Sequence, residues 1–199
     1  MKQLFTLFLC LVFTIPALAQ EDQTLVSNHI GSGGFGGPVL KISSISGEAA
    51  LFVGGRGGWI IKLNPSSSFV IGGGGYGLST DVEANNIFIN NRQQYVSVGY
   101  GGLELEYVHQ SYRLVHFSLQ SLIGAGSAGY QNKDRENRSN SDSFFVWEPG
   151  VNVLLNVTHF FRIGTGLGYR LTSGSHLLEA SDSDLSGVTG IITFKFGKF

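Results

Sequence analysis

The chain alternates apolar, glycine-rich stretches with polar breaks, and no window carries a sustained helical period. Between the stretches, tight turns alternate with the longer polar breaks 81–94, 131–142 and 174–186, and one further short break lies at 45–47. Asn64-Pro65 and the serines that follow are typical turn residues. The pattern predicts an all-β chain with eight strands in antiparallel, up-and-down order, at residues 34–44, 48–63, 69–80, 95–109, 113–130, 143–156, 160–173 and 187–199.

Short turns at one end and longer loops at the other are the layout of bacterial outer-membrane barrels. Charges that share a strand also share a face: Arg162 and Arg170 have one parity, and Ile163, Leu167 and Leu171 have the other. A soluble lipocalin-like barrel would show the same alternation with its charges turned outward. Two further features favour the membrane: glycine crowds the charged parity, and aromatic residues stand near stretch ends, as membrane-interface girdles do. These interface aromatics are Trp59, Tyr107, Trp147 and Tyr169.

The first residues, MKQLFTLFLCLVFTIPALAQ, have a lysine near the start, a short apolar run and an Ala-Leu-Ala cleavage site, as a secretory signal peptide does. We therefore predict a signal peptide at 1–19, an N-terminal periplasmic segment at 20–32 and an outer-membrane β-barrel at 33–199. Cys10 is the only cysteine and leaves with the signal peptide, so the mature chain is expected to have no disulfide or thiolate metal site.

Amino-acid composition excludes further classes of protein. Glycine supplies 29 of 199 residues, about twice ordinary usage, but aromatic residues are too frequent for collagen or disorder. The full sequence has 13 basic and 14 acidic residues. Cleavage of the predicted signal peptide would remove Lys2 and no acidic residue, so the mature chain is expected to be mildly acidic. A nucleic-acid partner is therefore not expected.

The interior of an eight-stranded barrel is just wide enough for side chains to fill it, so an open pore is not expected. Buried charges require partners, and we predict a network of paired charges that plugs the lumen. An alternative is that Glu104, Glu106 and Glu148 with Arg56 form a proton or ion path, or bind a small polar ligand. The predicted network comprises Glu48, Arg56, Lys62, Glu104, Glu106, Glu148, Arg162 and Arg170, together with Lys41 and Lys195.

Candidate catalytic patterns are weak. The glycines at 31, 33 and 36 satisfy G-x-G-x-x-G, but they follow no predicted strand and open no helix, so no dinucleotide site is expected. The histidines lack metal-ligand spacing, and neither a metal nor a cofactor is predicted. An enzymatic alternative is a hydrolase acting on lipid head groups, with His176, Ser173, Ser175 and Glu179 around the last long loop.

Two loop features bear on partners. The segment QNKDRENRSNSD (131–142) mixes both charge signs and predicts a solvated extracellular loop, or a contact surface for lipopolysaccharide phosphates or a protein partner. The triplet Ile87-Phe88-Ile89 either extends a neighbouring strand pair above the membrane or marks an interface.

Residues 147–174, WEPGVNVLLNVTHFFRIGTGLGYRLTSG, and residues 181–199, SDSDLSGVTGIITFKFGKF, resemble a group of uncharacterised outer-membrane β-barrel proteins typical of Bacteroidota. The chain more loosely resembles the eight-stranded outer-membrane protein A and X type. The resemblance implies that Phe199 is the aromatic assembly signal read by the outer-membrane assembly machinery. The aromatic pair before it is Phe194 and Phe196, so a bulge near Gly197 is expected to bring Phe199 into phase.

The sequence thus predicts a non-enzymatic protein of the cell outer membrane, with an envelope structural or surface-interaction role. Its expected partners are outer-membrane lipid and lipopolysaccharide, the assembly machinery, and a protein partner in the envelope or outside the cell. A lipid-modifying enzyme of the lipid A acylase or deacylase type and a narrow channel stay open as alternatives.

Overall fold

The computed structural model describes residues 31–89, 91–132 and 139–199, so the predicted signal peptide and residues 20–30 lie outside the described ranges. Strands account for most of this part of the chain. Eight long strands form the barrel: β1 Ser32–Ile45, β2 Glu48–Lys62, β3 Ser67–Leu78, β5 Arg92–His109, β6 Val115–Gln131, β7 Ser139–Asn156, β8 Phe161–Ser173 and β11 Gly187–Lys198. Shorter elements at one end are β4 Val82–Ile89, β9 His176–Leu177, β10 Ala180–Ser181 and the helix α1 Asp182–Leu185.

Every barrel strand pairs with its chain neighbours in antiparallel fashion. The cylinder closes where β1 pairs with β11, with Ile42 opposite Gly190 and Gly34 opposite Lys198. The prediction of an eight-stranded antiparallel transmembrane barrel is confirmed. No helix in the described ranges is long and apolar enough to span a membrane.

The segment 81–94 was expected to be a loop, and that expectation is wrong. Strand β4 pairs with the first part of β5, from Val82 opposite Val96 to Ile89 opposite Arg92. Because β3 pairs with the remainder of β5, β3 and β4 together act as one long strand interrupted at residues 79–81. The 87–89 triplet therefore extends a strand pair above the membrane. This was the first of the two alternatives that the sequence left open. Phe88 is 61% exposed at this hairpin.

The predicted loop 174–186 is also ordered. It forms the small hairpin β9–β10 followed by α1, whose N-cap residue Ser181 makes a capping box with Asp184. Ala180 and Leu185 are buried, which anchors the segment to the barrel end. This mostly polar segment is therefore ordered because the side chains of Ala180 and Leu185 are buried against the end of the barrel. We call residues 174–186 the lid.

The two faces of the barrel wall have opposite chemistry. Large apolar side chains stand exposed on the outside, including Trp59, Leu103, Phe117, Val151 and Leu167, whereas the buried charges point inward. This is the inverse of a soluble barrel and matches a wall surrounded by lipid. The lipocalin-like alternative is therefore excluded. Three short turns, β2–β3, β5–β6 and β7–β8, lie opposite the lid and the β4–β5 hairpin, and only the β1–β2 turn of the described ranges is short at the lid end. We therefore take the end with the three short turns as periplasmic and the lid end as extracellular.

Candidate functional site: the charged lumen and its two mouths

The centre of the lumen holds a chain of ion pairs. Nζ of Lys195 lies 2.7 and 2.6 Å from the two carboxylate oxygens of Glu106, and Nη2 of Arg56 lies 3.2 Å from Oε2 of the same carboxylate. Nε of Arg56 is 2.6 Å from Oε2 of Glu104, whose other oxygen accepts a hydrogen bond from the Tyr76 hydroxyl. The chain therefore links strands β11, β5, β2 and β3 across the interior.

A second ion pair lies nearer the extracellular end. Lys41 Nζ is 2.9 Å from Oε1 of Glu148 and 3.0 Å from Oε2, which also accepts a hydrogen bond of 2.8 Å from the Tyr100 hydroxyl. The ammonium also lies 3.5 Å from the centroid of the Tyr76 ring. Tyr76 thus touches both clusters, with its hydroxyl on Glu104 and its ring under Lys41.

Charge is balanced in these two clusters, which contain three cations and three carboxylates. All six side chains are buried. Removing such charges from water costs several kcal/mol per ion, so each one needs a close counter-ion and further hydrogen bonds. The central network, which we define as Lys41, Arg56, Glu104, Glu106, Glu148 and Lys195, therefore uses its carboxylates to neutralise itself.

Two glycines near this network have different roles. A Cβ on Gly74 would lie 2.8 Å from the Tyr76 hydroxyl and would also overlap the Glu104 carboxylate. Gly58, which neighbours Arg56 on the same face, would instead meet Val70 and the backbone of β3. Gly74 therefore provides clearance for the ion pairs, while Gly58 permits close approach of two strands.

Above the central network, Arg170 joins the barrel to the lid. Its Nε donates to the Leu185 carbonyl at 2.6 Å, and its Nη2 donates to the Ser43 hydroxyl at 3.2 Å. The guanidinium carbon lies 4.6 Å from the centroid of the Phe52 ring. Arg170 is fully buried, and no carboxylate in the described ranges lies within ion-pair distance of it. Oxygen dipoles and the Phe52 ring stabilise its charge instead.

Further hydrogen bonds hold the lid from three sides. Ser46, in the β1–β2 turn, donates from its hydroxyl to the Glu179 carbonyl at 2.7 Å. The Tyr130 hydroxyl donates to the Leu178 carbonyl, and the Asp142 carboxylate accepts from the His176 N–H at 3.0 Å. Asp142 lies beyond the lipid-facing part of β7, and backbone N–H groups of His176 and Ser143 hold the pKa of its carboxyl below the usual range. The lid is thus fixed over the extracellular mouth.

The periplasmic mouth contains the remaining predicted cations. The Arg162 guanidinium carbon lies 3.9 Å from the centroid of the Phe199 ring, and Lys62 Nζ donates to the Phe199 carbonyl at 3.2 Å. Phe199 also stacks on Phe35, with ring centroids 6.3 Å apart. An open cleft of about 490 Å³ lies beside Arg162, and a cavity of about 10 Å³ under Lys195 lies deeper in the lumen. The deeper cavity is at the lower limit for holding one water molecule.

The predicted lumen residues divide by height along the barrel. The structure brings Arg56, Glu104, Glu106, Glu148 and Arg170 into the buried interior, with Lys41 and Lys195. Lys62 and Arg162 are half-buried at the periplasmic mouth. The assignment of Glu48 to the lumen is wrong: it has the inward parity but is exposed, because it is the first residue of β2 after the turn.

The four interface aromatics all point outward. Trp59 and Tyr107 lie near the periplasmic ends of β2 and β5, whereas Trp147 and Tyr169 lie in the extracellular halves of β7 and β8. The Trp147 indole N–H donates to the Ser121 hydroxyl at 2.9 Å, and the Tyr107 hydroxyl lies 3.0 Å from that of Ser67. Trp147 and Tyr107 therefore have an apolar body toward lipid and a polar group that finds a partner on the neighbouring strand.

The bulge expected near Gly197 does not occur. Strand β11 keeps one register with β1 from Ile42 opposite Gly190 to Phe35 opposite Gly197. Phe196 consequently faces outward, and Phe199 lies at the lumen mouth against Phe35 and Arg162. The alternation of the last strand is regular, so its final aromatic residue does not join the lipid-facing row.

Several polar residues of the lumen were not predicted from the sequence. Gln120 accepts a hydrogen bond of 2.6 Å from Arg56 Nη1, and Asn152 donates to Gln120 at 3.0 Å. His116 is buried below them, with its Nδ1 3.1 Å from the Arg113 carbonyl. These residues, like Tyr76 and Tyr100, are on the inward parity of their strands. Their inward parity is the sequence signal that could identify them.

The residues proposed for a hydrolase do not form a catalytic arrangement. The Ser175 hydroxyl is buried and donates to the Ala180 carbonyl at 2.6 Å, so it serves the lid's internal structure. Across the described ranges, no hydrogen bond joins the His176 ring to Ser173 or Glu179, and no three metal-ligand side chains cluster. In this structure the Ser175 hydroxyl is occupied within the lid, and the described contacts place no base beside it.

No protein-family model matches the chain, and a comparison with curated proteins finds no match. Among solved structures, Neisserial surface protein A (NspA) superimposes with a TM-score of 0.50 and 14% identity, over 84% of this chain and 97% of that one. Ail, the attachment invasion locus protein of Yersinia pestis, gives 0.47 and 13%, over 83% and 97%. The N-terminal β-barrel domain of Pseudomonas aeruginosa OprF gives 0.47 and 10%, over 83% and 96%.

At these identities the similarity concerns the fold and not the activity. The strand closure, the lipid-facing wall and the likeness to NspA agree with one another. The chain has the fold of the eight-stranded outer-membrane β-barrels.

Proposed function

We propose that this protein is a non-enzymatic outer-membrane barrel with a lumen plugged by side chains, acting as an envelope structural or surface-interaction protein. The central network carries the proposal, because its three cations and three carboxylates neutralise each other inside the membrane. A conducting path needs polar or charged groups that are free to contact the passing ion or water. Here Glu104, Glu106 and Glu148 are each bound to a lysine or arginine.

The two ends of the lumen support the same proposal. The lid covers the extracellular mouth through Arg170 and Ser46. Toward the periplasm, the small cavity under Lys195 leaves no room for a continuous water column. An ion would have to break the Arg56 and Lys195 pairs and displace the lid, so the wild-type barrel should stay closed.

Conductance across planar bilayers tests the closed lumen. Purified, folded protein should insert without steady openings, and so should the control Glu48→Gln, which alters an exposed residue at the β1–β2 turn. Steady openings of the wild type that change with Glu104→Gln would overturn the proposal in favour of a narrow channel. Folding is checked beforehand by the mobility shift of unboiled samples on gels.

The absence of catalysis is tested on the lipids. Lipid A from cells with and without the protein should give the same mass spectrum. A change in acylation that depends on His176 or Ser175 would overturn the proposal in favour of a lipid-modifying enzyme. Replacing Ser175 would also remove the hydrogen bond that its hydroxyl donates to the Ala180 carbonyl within the lid. His176→Gln is therefore the cleaner variant.

The surface role is proposed for the extracellular end. The β4–β5 hairpin lies there with Phe88 exposed, and the charged segment 131–142 includes the last residue of β6 and the first residues of β7 at the same end. A photo-crosslinker placed at Asp142 in living cells should capture lipopolysaccharide or an envelope or extracellular protein. A crosslinker at the outward-facing Leu103 is the control, since it should capture bulk lipid alone. Identical products from both positions would contradict a surface-interaction role.

The cellular setting belongs to the same proposal. We expect export with a cleaved signal peptide, insertion by the assembly machinery with Phe199 as its signal, and an origin among the Bacteroidota barrels that residues 147–174 resemble. N-terminal sequencing of the membrane-inserted protein should begin at Gln20. Recovery of the protein in the soluble periplasm would contradict this setting.

A further inference from the structure

We propose that the cleft at the periplasmic mouth binds the free carboxylate of a peptide. The cleft has a volume of about 490 Å³, within the range of small-ligand sites, and is independent of the proposed surface role. The turns β5–β6 and β7–β8 and the end of the chain surround it. Its lining includes Ser111, Leu114, Asn156, Val157, Thr158 and Arg162.

Arg162 provides the charge. Within the described ranges no carboxylate lies within 4 Å of its guanidinium, in contrast to Arg56, which pairs with Glu104 and Glu106. The group is nevertheless held in place: its carbon stacks 3.9 Å from the Phe199 ring centroid, and Nη2 donates to the Ser111 carbonyl at 3.3 Å. A fixed guanidinium with N–H groups to spare suits a carboxylate, which it can bind with two parallel hydrogen bonds.

Asn156 adds a second requirement. Its Nδ2 donates to the Ser111 carbonyl at 3.1 Å and to the Arg113 carbonyl at 2.7 Å, which fixes the orientation of the amide. Its Oδ1 is buried without a hydrogen-bond donor among the described residues. A buried acceptor in that state costs free energy until a donor arrives. That oxygen has almost no exposed surface, so a donor reaches it only if the wall of the cleft yields as the ligand enters. A ligand with an N–H close to its carboxylate, such as the last residue of a peptide, supplies such a donor, whereas a fully ionised phosphate does not.

The depth of the cleft limits how far a ligand can enter the barrel. The small cavity under Lys195 also has Ser111, Arg162 and Phe199 in its wall, and at about 10 Å³ it ends the path into the lumen. Leu114 and Val157 give the cleft an apolar side suited to a small side chain. The site therefore accepts a peptide end from the periplasm and does not pass it on.

Calorimetric titration of the purified, folded barrel in detergent tests the site. The probes are N-acetyl-L-Ala-L-Ala, its D,D isomer, and the C-terminal amide of each. At least one acid should bind and its amide should not. Binding of the L,L acid alone indicates protein C-termini, and binding of the D,D acid alone indicates cell-wall peptides. Arg162→Gln should weaken binding by about tenfold or more, the factor that loss of a charged hydrogen bond produces.

The control is Arg113→Gln, because Arg113 is an exposed arginine on the same periplasmic turn that does not line the cleft. It should bind the acid as the wild type does. Should Arg162→Gln fail to fold, Thr158→Glu places a repelling charge on an exposed residue of the rim, with Thr158→Gln as its neutral match. The proposal is overturned if neither acid binds at about 10 mM, above the Kd range of such small ligands. Equal binding of acid and amide, or an equal loss in Arg113→Gln, overturns it as well.

Discussion

Lys195 and Glu106 join the last strand of the barrel to β5 on the opposite side of the lumen, with Nζ 2.6 and 2.7 Å from the two carboxylate oxygens. Both side chains are almost entirely removed from solvent. Arg56 shares the same carboxylate, so one acidic group balances parts of two cations. The interior of the barrel therefore depends on Glu106 more than on any single cation around it.

Replacing Glu106 should strongly destabilise the barrel. Glu106→Gln removes the charge that Lys195 and Arg56 share, and breaking a buried ion pair typically costs about 3–5 kcal/mol. The free energy of unfolding is measured by urea titration in detergent, with the gel mobility shift as readout. The matched variant Glu48→Gln alters an exposed glutamate and should stay within about 0.5 kcal/mol of wild type. Equal stability of the two variants would contradict the buried network.

The pair Lys41–Glu148 offers a test by compensation. Glu148→Leu alone leaves the Lys41 ammonium buried without its carboxylate and should lose about 3–5 kcal/mol. Adding Lys41→Met removes the orphaned charge, and the double variant should regain most of that loss. A double-mutant cycle on the same urea titration measures the coupling. A double variant no more stable than Glu148→Leu would mean that the two groups are not coupled in the folded barrel.

Two adjacent glycines should respond differently to alanine. A methyl on Gly74 would enter the space of the Glu104 carboxylate and the Tyr76 hydroxyl, whereas a methyl on Gly75 would meet nothing within 4 Å. We expect Gly74→Ala to cost about 1–3 kcal/mol, as overpacking does, and Gly75→Ala to cost little. Thermal unfolding followed on unboiled gels compares them. Reversed sensitivities would place the opposite parity of β3 in the lumen.

Arg170 should control the closure of the extracellular mouth. Arg170→Met removes the hydrogen bonds to the Leu185 carbonyl and the Ser43 hydroxyl, while it retains an apolar chain against Phe52. Residues 174–186 should then exchange amide hydrogens faster and be cut sooner by protease. Arg92→Gln, an exposed arginine at the extracellular start of β5, is the control. Unchanged protection of Leu185 in the Arg170 variant would show that other contacts suffice to hold the lid.

The strand layout could be predicted from the sequence because burial on a barrel wall has a period of two. Parity also identified most inward charges, but it does not report height. Glu48 has the correct parity and lies above the lumen, whereas Arg56, eight positions later on the same face, is buried. The stretch VIGGGGYGL (70–78) does not show which parity faces inward, because glycine carries no side chain. The pairing with β2 and β5 is what turns Tyr76 inward.

The extracellular elements were harder to predict because long-range contacts stabilise them. Strand β4 is rich in asparagine and reads as a loop until its pairing with β5 is known. In the lid, the local signal of a capping box was present at Ser181 and Asp184. The contacts that fix the lid join residues that are distant in sequence. One of them is the hydrogen bond from the Ser46 hydroxyl to the Glu179 carbonyl, 133 residues away. No window of sequence contains both partners.

The lid is hydrogen-bonded to the β1–β2 turn and leads directly into β11, the strand that closes the cylinder against β1. These two connections involve the first and last strands of the barrel, so the full set of lid contacts can form only after those strands have met. A protected lid is therefore a reporter of completed assembly. A barrel caught with its seam unzipped would display a digestible segment at 174–186 to any protease outside the cell.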